Sequence, residues 1–348
     1  MKFTIILPIY NTPECILKSC FDSIAKQTIK DYELIVIDDG SSFECSSFID
    51  TYLMSIPNSH VIHKENEGVS VARNIGIKEA SGDYILFLDS DNTLPLNTLE
   101  IYKKYIGDND IIIGQSIFLN RTLIDNNDNI ENYDYKKINE NITYNIETEN
   151  DWKKLINHVL VGRSETYSYK YGYFADGPCG KLFKTSLVKQ THYPIELKWD
   201  EDTVWLLSYF DLCKSGIIIP DYVYNNVSYQ LSATKRYREN CIEEFHNVTK
   251  VEIEVEKKYP NSKDAFLYHY LHNILLVARL HFFHPDNKLP FKEKYLLFAN
   301  FIKENMIQSF FKEKKYSNIF DIKNKILIFL INKKICLLLY FILSLYNK

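Results

Sequence analysis

A run of short apolar segments, each closed by a polar turn, most constrains the fold. "FTIIL" (Phe3–Leu7), "ELIVID" (Glu33–Asp38), "SHVIH" (Ser59–His63), "YILFLD" (Tyr84–Asp89) and "DIIIG" (Asp110–Gly114) follow one another in the N-terminal third. Continuous apolar runs of this length read as strands covered on both faces. Helical stretches separate them at Pro13–Gln27, Ser42–Leu53 and Val69–Ala80. Strand alternating with helix over short connections predicts an α/β protein with a doubly wound, mostly parallel sheet. Such sheets bind ligands beyond the carboxyl ends of their strands. Asp38, Asp39, Asp89 and Asp91 all fall at strand ends, so one crevice can hold all four.

"YILFLDSDNTL" (Tyr84–Leu94) places two carboxylates one residue apart, Asp89 and Asp91. Like charges this close repel unless a cation sits between them. Two chemistries fit the stretch locally. One is a metal and diphosphate site for sugar transfer. The other is the nucleophile strand of an aspartyl phosphatase, which also ends in Asp-x-Asp-x-Thr and uses the second Asp as acid/base. Asp89, Asp91 and Thr93 supply that pattern. A phosphatase also needs a Lys and a further acidic pair, and its motif usually lies on the first strand of its domain. Here three strand-like runs precede it, no Lys partner is evident, and the acidic cluster Asp200–Asp202 opens a helix.

The wider sequence resembles the inverting family 2 glycosyltransferases, which have the GT-A fold. "ILPIYNTPECILKSCFDSIAKQTIKDYELIVIDDGSS" (Ile6–Ser42) is similar to that family's opening, and "ENEGVSVARNIGIKEASGDYILFLDSDN" (Glu65–Asn92) to its second block. "GKLFKTSLV" (Gly180–Val188) and "DEDTVWLL" (Asp200–Leu207) resemble its acceptor-side segment and its Glu-Asp pair. "VYNNVSYQLSATKR" (Val223–Arg236) is a weaker likeness to its closing loop. Asn92 departs from the pattern, standing where the family usually has a third Asp.

The resemblance implies a nucleotide-binding half, Rossmann-like, in a catalytic domain over residues 1–232, and a helical region over 233–348. It implies a UDP-sugar donor carrying a hexose or N-acetylhexosamine. The acceptor is a hydroxyl of a glycan or a lipid-linked oligosaccharide, in the building of a bacterial surface polysaccharide such as capsule or O-antigen. Pro8, Ile9 and Tyr10 then offer a backbone edge and a flat ring to the base. Asp39 accepts the uracil imide N–H, and Arg73 reaches the uracil or a phosphate with its planar fork. Asp89 and Ser90 hold ribose or sugar hydroxyls. Asp91 is the ligand for Mg²⁺ or Mn²⁺, which bridges it to the diphosphate. Asp202 is the general base that inversion requires, and Glu201 its orienting neighbour. Lys235 and Arg236 fold over the diphosphate. Each residue also has a structural alternative: helix caps for Asp38 and Asp202, a surface ion pair for Arg73, a solvated face for Lys235 and Arg236.

Composition narrows the remaining classes. A net charge of -4 gives no overall attraction to nucleic acid. The cysteines, Cys15, Cys20, Cys45, Cys179, Cys213, Cys241 and Cys336, are odd in number and contain no Cys-x-x-Cys pair. That argues against a zinc site and a disulfide framework, and for a reducing cytoplasmic setting. His269 and His272 sit in an aromatic helix and read as packing residues. "KILIFLINKKICLLLYFILSLYNK" (Lys325–Lys348) is apolar but broken by Asn332, Lys333 and Lys334, too short for a span of about 20 residues. With Lys312, Lys314, Lys315 and Lys323 nearby, it fits either a peripheral helix at the inner face of the plasma membrane or a helix packed on the catalytic domain. A non-catalytic, membrane-associated partner of an assembly complex is the non-enzyme alternative, against which Asp91 and Asp202 stand.

Overall fold

A computed structural model describes residues 2–120, 143–162, 177–228, 236–312 and 320–346. The chain divides into two compact units, Met1–Leu155 with Tyr167–Tyr229, and Ile156–Thr166 with Gln230–Lys348. The long boundary falls at Tyr229/Gln230 against the 232/233 division read from sequence. Ile156–Thr166 clusters with the second unit.

Eight strands among the described residues of the first unit form one sheet in the order β3-β2-β1-β4-β7-β5-β8-β6. They are β1 (Phe3–Ile9), β2 (Tyr32–Asp39), β3 (Ser59–Lys64), β4 (Tyr84–Phe87), β5 (Ile111–Asn120), β6 (Tyr144–Ile146), β7 (Lys181–Lys184) and β8 (Gly216–Ser228). β3, β2, β1 and β4 are mutually parallel, as are β5 and β8. β7 enters antiparallel between β4 and β5, and β6 pairs antiparallel with β8. The intervening helices are α1 (Glu14–Ala25), α2 (Phe43–Leu53), α3 (Val69–Glu79), α4 (Thr98–Tyr105), α5 (Glu149–Val161), α6 (Thr185–Val188) and α7 (Glu201–Phe210).

Alternate strand residues feed two layers of core. Ile5, Leu7, Leu34 and Val36 pack with Leu17, Phe21 and Ile24 of α1. On the other face, Phe87 and Phe183 meet Trp205 of α7 edge-on, with ring centroids 5.3 and 5.2 Å away. Burying each such aliphatic or aromatic side chain contributes roughly 1.5–3 kcal/mol.

β8 carries Pro220 within a strand, which the loss of an N–H donor normally forbids. The sheet accommodates it by a register shift: Ile113 pairs with Ile218, but Gln115 pairs with Tyr222. Gln115 Nε2 donates to the Ile219 carbonyl at 2.7 Å across the irregularity. Gly114 lies opposite, where a Cβ would come within 2.2 Å of Val223. Beyond this bulge, Asn225 of β8 bridges Thr93 in the segment that follows β4.

The described part of the second unit is helical: α8 (Cys241–Glu256), α9 (Lys263–Val277) with a π-helical extension Ala278–Phe282, α10 (Phe291–Lys303), α11 (Asn305–Phe311), α12 (Ile322–Asn332) and α13 (Cys336–Tyr346). Phe245, Phe282, Phe298 and Phe301 form its aromatic centre. His269 is buried there, bonded to Glu252 at 2.9 Å and to the Leu160 carbonyl at 3.0 Å, whereas His272 is exposed. The apolar tail is two helices, broken where Lys334 adopts a positive φ of 54°. Among the described residues no helix is long and apolar enough to cross a membrane.

Candidate active site

β1, β2 and β4 are parallel neighbours, so the loops that follow them meet at one edge of the sheet. At the end of β1, Ile9 is buried in the core and offers only backbone, while Tyr10, which follows, is 53% exposed and presents its ring to solvent. The next residue, Asn11, ties this loop to the one after β2: its Oδ1 accepts from the Ser42 N–H at 2.8 Å, and its N–H donates to Ser41 Oγ at 3.0 Å.

The two acids ending β2 serve different loops. Asp38 accepts from the Ser41 N–H, the Ser46 hydroxyl and His63 Nδ1. Burial opposes its charge, but these hydrogen bonds hold the carboxyl below its ordinary range. It is a loop and helix-start anchor. Asp39 is buried, and both its oxygens are occupied. Lys64 Nζ (2.6 Å) and the Glu67 N–H (3.0 Å) donate to Oδ1; the Gly68 N–H (2.8 Å) and Asn66 Nδ2 (3.2 Å) donate to Oδ2. Asp39 thereby shapes the loop leading into α3, whose last residue, Gly68, has φ +101°. A carboxylate has about four acceptor positions, so the expected uracil contact requires one of these donors to be displaced.

β4 stops at Phe87, two residues short of the apolar run, because the chain turns at Asp89: the Asn92 N–H closes onto the Asp89 carbonyl at 3.0 Å. This turn separates the roles of its four side chains. Asp89 accepts from Arg73 Nη2 on Oδ1 (3.1 Å) and from the Cys179 S–H on Oδ2 (3.3 Å). The Ser90 hydroxyl pairs with that of Thr12 at 2.6 Å. Asn92 Oδ1 accepts from the Val227 N–H at 2.7 Å, and Thr93 and Asn225 exchange backbone bonds at 3.2 and 2.9 Å. Asn92 therefore fastens the turn to β8 and faces the strand, not a ligand. Asp91 remains without a side-chain partner among the described residues. Burial, with Asp89 adding repulsion, pushes it up to about 6.

On the facing side, α7 begins after Asp200, a non-glycine residue at φ 58°. Its first turn carries Glu201 and Asp202. Arg73, buried on α3, joins this turn to β4: Nη1 donates to Asp202 Oδ1 and lies 3.5 Å from Glu201, while Nη2 holds Asp89. Its guanidinium lies 5.2 Å from the Tyr193 ring centre, and Tyr193 stacks on Trp205 at 4.4 Å. Burial raises the Asp202 pKa; Arg73 pulls it down, and Glu201, Asp89 and Asp200 push it up. A carboxyl drawn toward neutrality suits general-base work.

The structure thus gathers Asp89, Ser90, Asp91, Arg73, Glu201 and Asp202 at one edge, with Pro8 and Ile9 ending β1, Asp39 ending β2 and Tyr10 on the loop after β1. Arg73 is engaged with acids in the place where a phosphate or base contact was expected. Lys235 lies outside the described residues, and Arg236 belongs to the second unit. Three carboxylates, Asp89, Glu201 and Asp202, meet the single guanidinium of Arg73, and Asp91 adds a fourth on the same turn as Asp89. Hard oxygen donors with excess negative charge suit Mg²⁺ or Mn²⁺, which take one or two carboxylates beside substrate phosphates. Sequence reasoning missed Thr12, Cys179 and Tyr193, which carry no local signal. Asn92 was visible only as a departure from pattern.

Residues 4–169 match the sequence profile of Glycosyl transferase family 2. An uncharacterized glycosyltransferase of Rickettsia bellii is 38% identical over 117 residues, 34% of this chain and 17% of that protein. Glycosyltransferase GlyG of Streptococcus pneumoniae is 27% identical over 227 residues, 64% of this chain and 69% of its own. The poly(ribitol-phosphate) beta-glucosyltransferase of Bacillus spizizenii is 28% identical over 232 residues, 64% of this chain but 32% of its own. The chain therefore spans only part of these relatives. The crystal structure of S. aureus TarS 1-349 in complex with UDP-GlcNAc superposes with a TM-score of 0.65 at 17% identity, over 99% of this chain and 90% of that one. The profile ends before Glu201 and Asp202, so their place in the site rests on geometry. Residues 4–169 thus carry a glycosyltransferase family 2 domain, set in a GT-A-type sheet.

Proposed function

We propose that the chain is a cation-assisted, inverting glycosyltransferase that moves a hexose or N-acetylhexosamine from a UDP-sugar to a hydroxyl acceptor in the assembly of a cell-surface glycan. One observation carries this reading: Arg73 joins Asp89 of the β4 turn to Glu201 and Asp202 of α7 at the sheet's carboxyl edge. A donor-side acid and an acceptor-side base are what direct displacement at an anomeric carbon requires.

In this reading Asp91 would hold Mg²⁺ or Mn²⁺, supported by its having no side-chain partner among the described residues. A cation there supplies Lewis-acid neutralisation of the departing diphosphate. Asp89, fixed on one oxygen by Arg73 and on the other by Cys179, keeps lone pairs for donor hydroxyls in a set direction. Tyr10 gives the base a ring to stack on. Asp202 takes the acceptor proton as its oxygen attacks, and Glu201 helps set the local field. The donor assignment is supported by TarS having been crystallised with UDP-GlcNAc. The acceptor class is supported by the name of the Bacillus relative, a poly(ribitol-phosphate) beta-glucosyltransferase. A phosphatase reading fits less well, because its nucleophile usually lies on the first strand of its domain and β1, β2 and β3 precede the strand that leads to Asp89.

Calorimetry with UDP tests the reading, with and without Mn²⁺, alongside hydrolysis of a generic phosphate monoester. Tight UDP binding only with the cation and no phosphatase turnover are expected. Cation-independent UDP binding, or phosphatase turnover lost on Asp89→Asn, overturns it.

A further inference from the structure

α12 and α13 are each split lengthwise. Leu327, Ile328, Leu330 and Ile331 of α12 are buried in the second unit, as are Leu339, Tyr340 and Leu343 of α13. The opposite stripes face solvent. On α12, Ile322, Ile326 and Phe329 recur at helical spacing and are 79%, 49% and 53% exposed. On α13, Leu337, Leu338, Phe341 and Leu345 do the same, Leu345 at 71%. Phe291, opening α10, is also half exposed and lies beside Phe341, with ring centroids 6.2 Å apart. Phe291 and Phe341 join the stripes of α10 and α13 into one open apolar face, and α12 exposes a further apolar stripe in the same unit. Scattered exposed apolar residues need no explanation, but a contiguous face does.

Charge says what covers it. Lys333 and Lys334 occupy the turn between α12 and α13, Lys323 and Lys325 the first turns of α12, and Lys292 and Lys294 the first turn of α10. Against these six lysines, the same segments carry Glu293 and Asp321. Two copies docked through this face would bring like charges together, whereas an anionic surface neutralises them.

We propose that this face docks on an anionic lipid surface, with α12 and α13 lying in the interface plane. Ile322, Phe329, Phe341 and Leu345 enter the acyl boundary, and the lysines meet the headgroup phosphates. The inference is independent of the catalytic reading, since binding itself is measured.

Vesicle flotation of the full chain tests it, using phosphatidylcholine alone and phosphatidylcholine with phosphatidylglycerol. The chain floats with the anionic vesicles and not with the neutral ones, and high salt weakens binding. Ile322→Asp with Leu345→Asp, and separately Lys333→Gln with Lys334→Gln, each lower the partition coefficient at least about tenfold, with melting temperature unchanged. If the acidic pair unfolds the protein, the lysine pair still decides. No flotation with anionic vesicles, or equal flotation of the lysine pair, overturns the proposal. So does a concentration-dependent dimer that Leu345→Asp dissolves, which would make the face an interface between copies.

Discussion

Asp91→Asn exchanges a partly buried carboxylate for a neutral isostere, and its effect on stability should change sign with the cation. In the metal-free chain the Asp91 carboxyl is pushed up to about 6 from 3.8, first by burial and then by Asp89. The folded state therefore holds a proton that the unfolded state releases between about pH 4 and 6. The stability this gives is fully present below about pH 4, is lost as pH rises through the interval, and stays lost above it. The difference is roughly a hundredfold in proton affinity, about 3 kcal/mol, of which partial solvent access leaves about 2 kcal/mol. Asp91→Asn should thus stabilise the metal-free protein by about 2 kcal/mol at pH 7.5 and by almost nothing at pH 4. With Mn²⁺ and UDP the order reverses: wild type gains about 2.7 kcal/mol at a hundredfold excess over Kd, and the variant gains little. Urea denaturation in chelator, then in Mn²⁺ and UDP, measures this. Trp152, Trp199 and Trp205 all lie in the first unit, so their fluorescence reports that unit alone. A variant less stable than wild type in chelator at pH 7.5, or equally stabilised by Mn²⁺ and UDP, refutes the reasoning.

Arg73→Gln leaves Asp89 and Asp202 without their buried partner and should cost about 3 kcal/mol in stability. Because Arg73 lowers the Asp202 pKa, losing it should also move the acid limb of the pH–rate profile to higher pH; an unmoved limb would remove Arg73 from the base's environment. Cys179→Ala frees one oxygen of Asp89 and should raise the donor KM about threefold to tenfold with kcat and melting temperature little changed, from a hydrogen bond of about 1 kcal/mol; Cys179→Ser should restore it. Asn92→Ala strands the Val227 N–H and should cost about 1–3 kcal/mol by urea denaturation, a loss that would be absent if Asn92 only faced ligand.

Much of the first unit is legible in sequence because its strands are buried on both faces. The runs at Phe3, Glu33 and Tyr84 had no other stable use than the centre of a sheet. The β4 strand was read two residues too long because Leu88 and Asp89 continue the pattern, while the turn that ends it is set by Asn92 closing on Asp89. The register shift around Pro220 was not legible, because it depends on Gly114 of another strand. That Asp38, Asp39 and Asp89 fall near strand ends on one edge was legible, although Asp38 and Asp39 prove to anchor loops there. The pairing of the site's acids was not. That Arg73 binds Asp89 and Asp202 together follows from residues 129 positions apart in the chain, and Tyr193 and Cys179 enter through the same tertiary closeness. The tail was ambiguous between membrane and core for a physical reason: apolarity on every side of a short helix does not say which side is covered.

Turnover at saturating UDP-sugar, measured with donor affinity for Asp202→Asn and Glu201→Gln, tests the central claim most directly. If Asp202 is the base, Asp202→Asn loses about 10²–10⁴ in turnover, its donor affinity barely changes, and Glu201→Gln loses less. Near-normal turnover in Asp202→Asn, or Glu201→Gln as the dead variant, would contradict the assignment of the acceptor-side base.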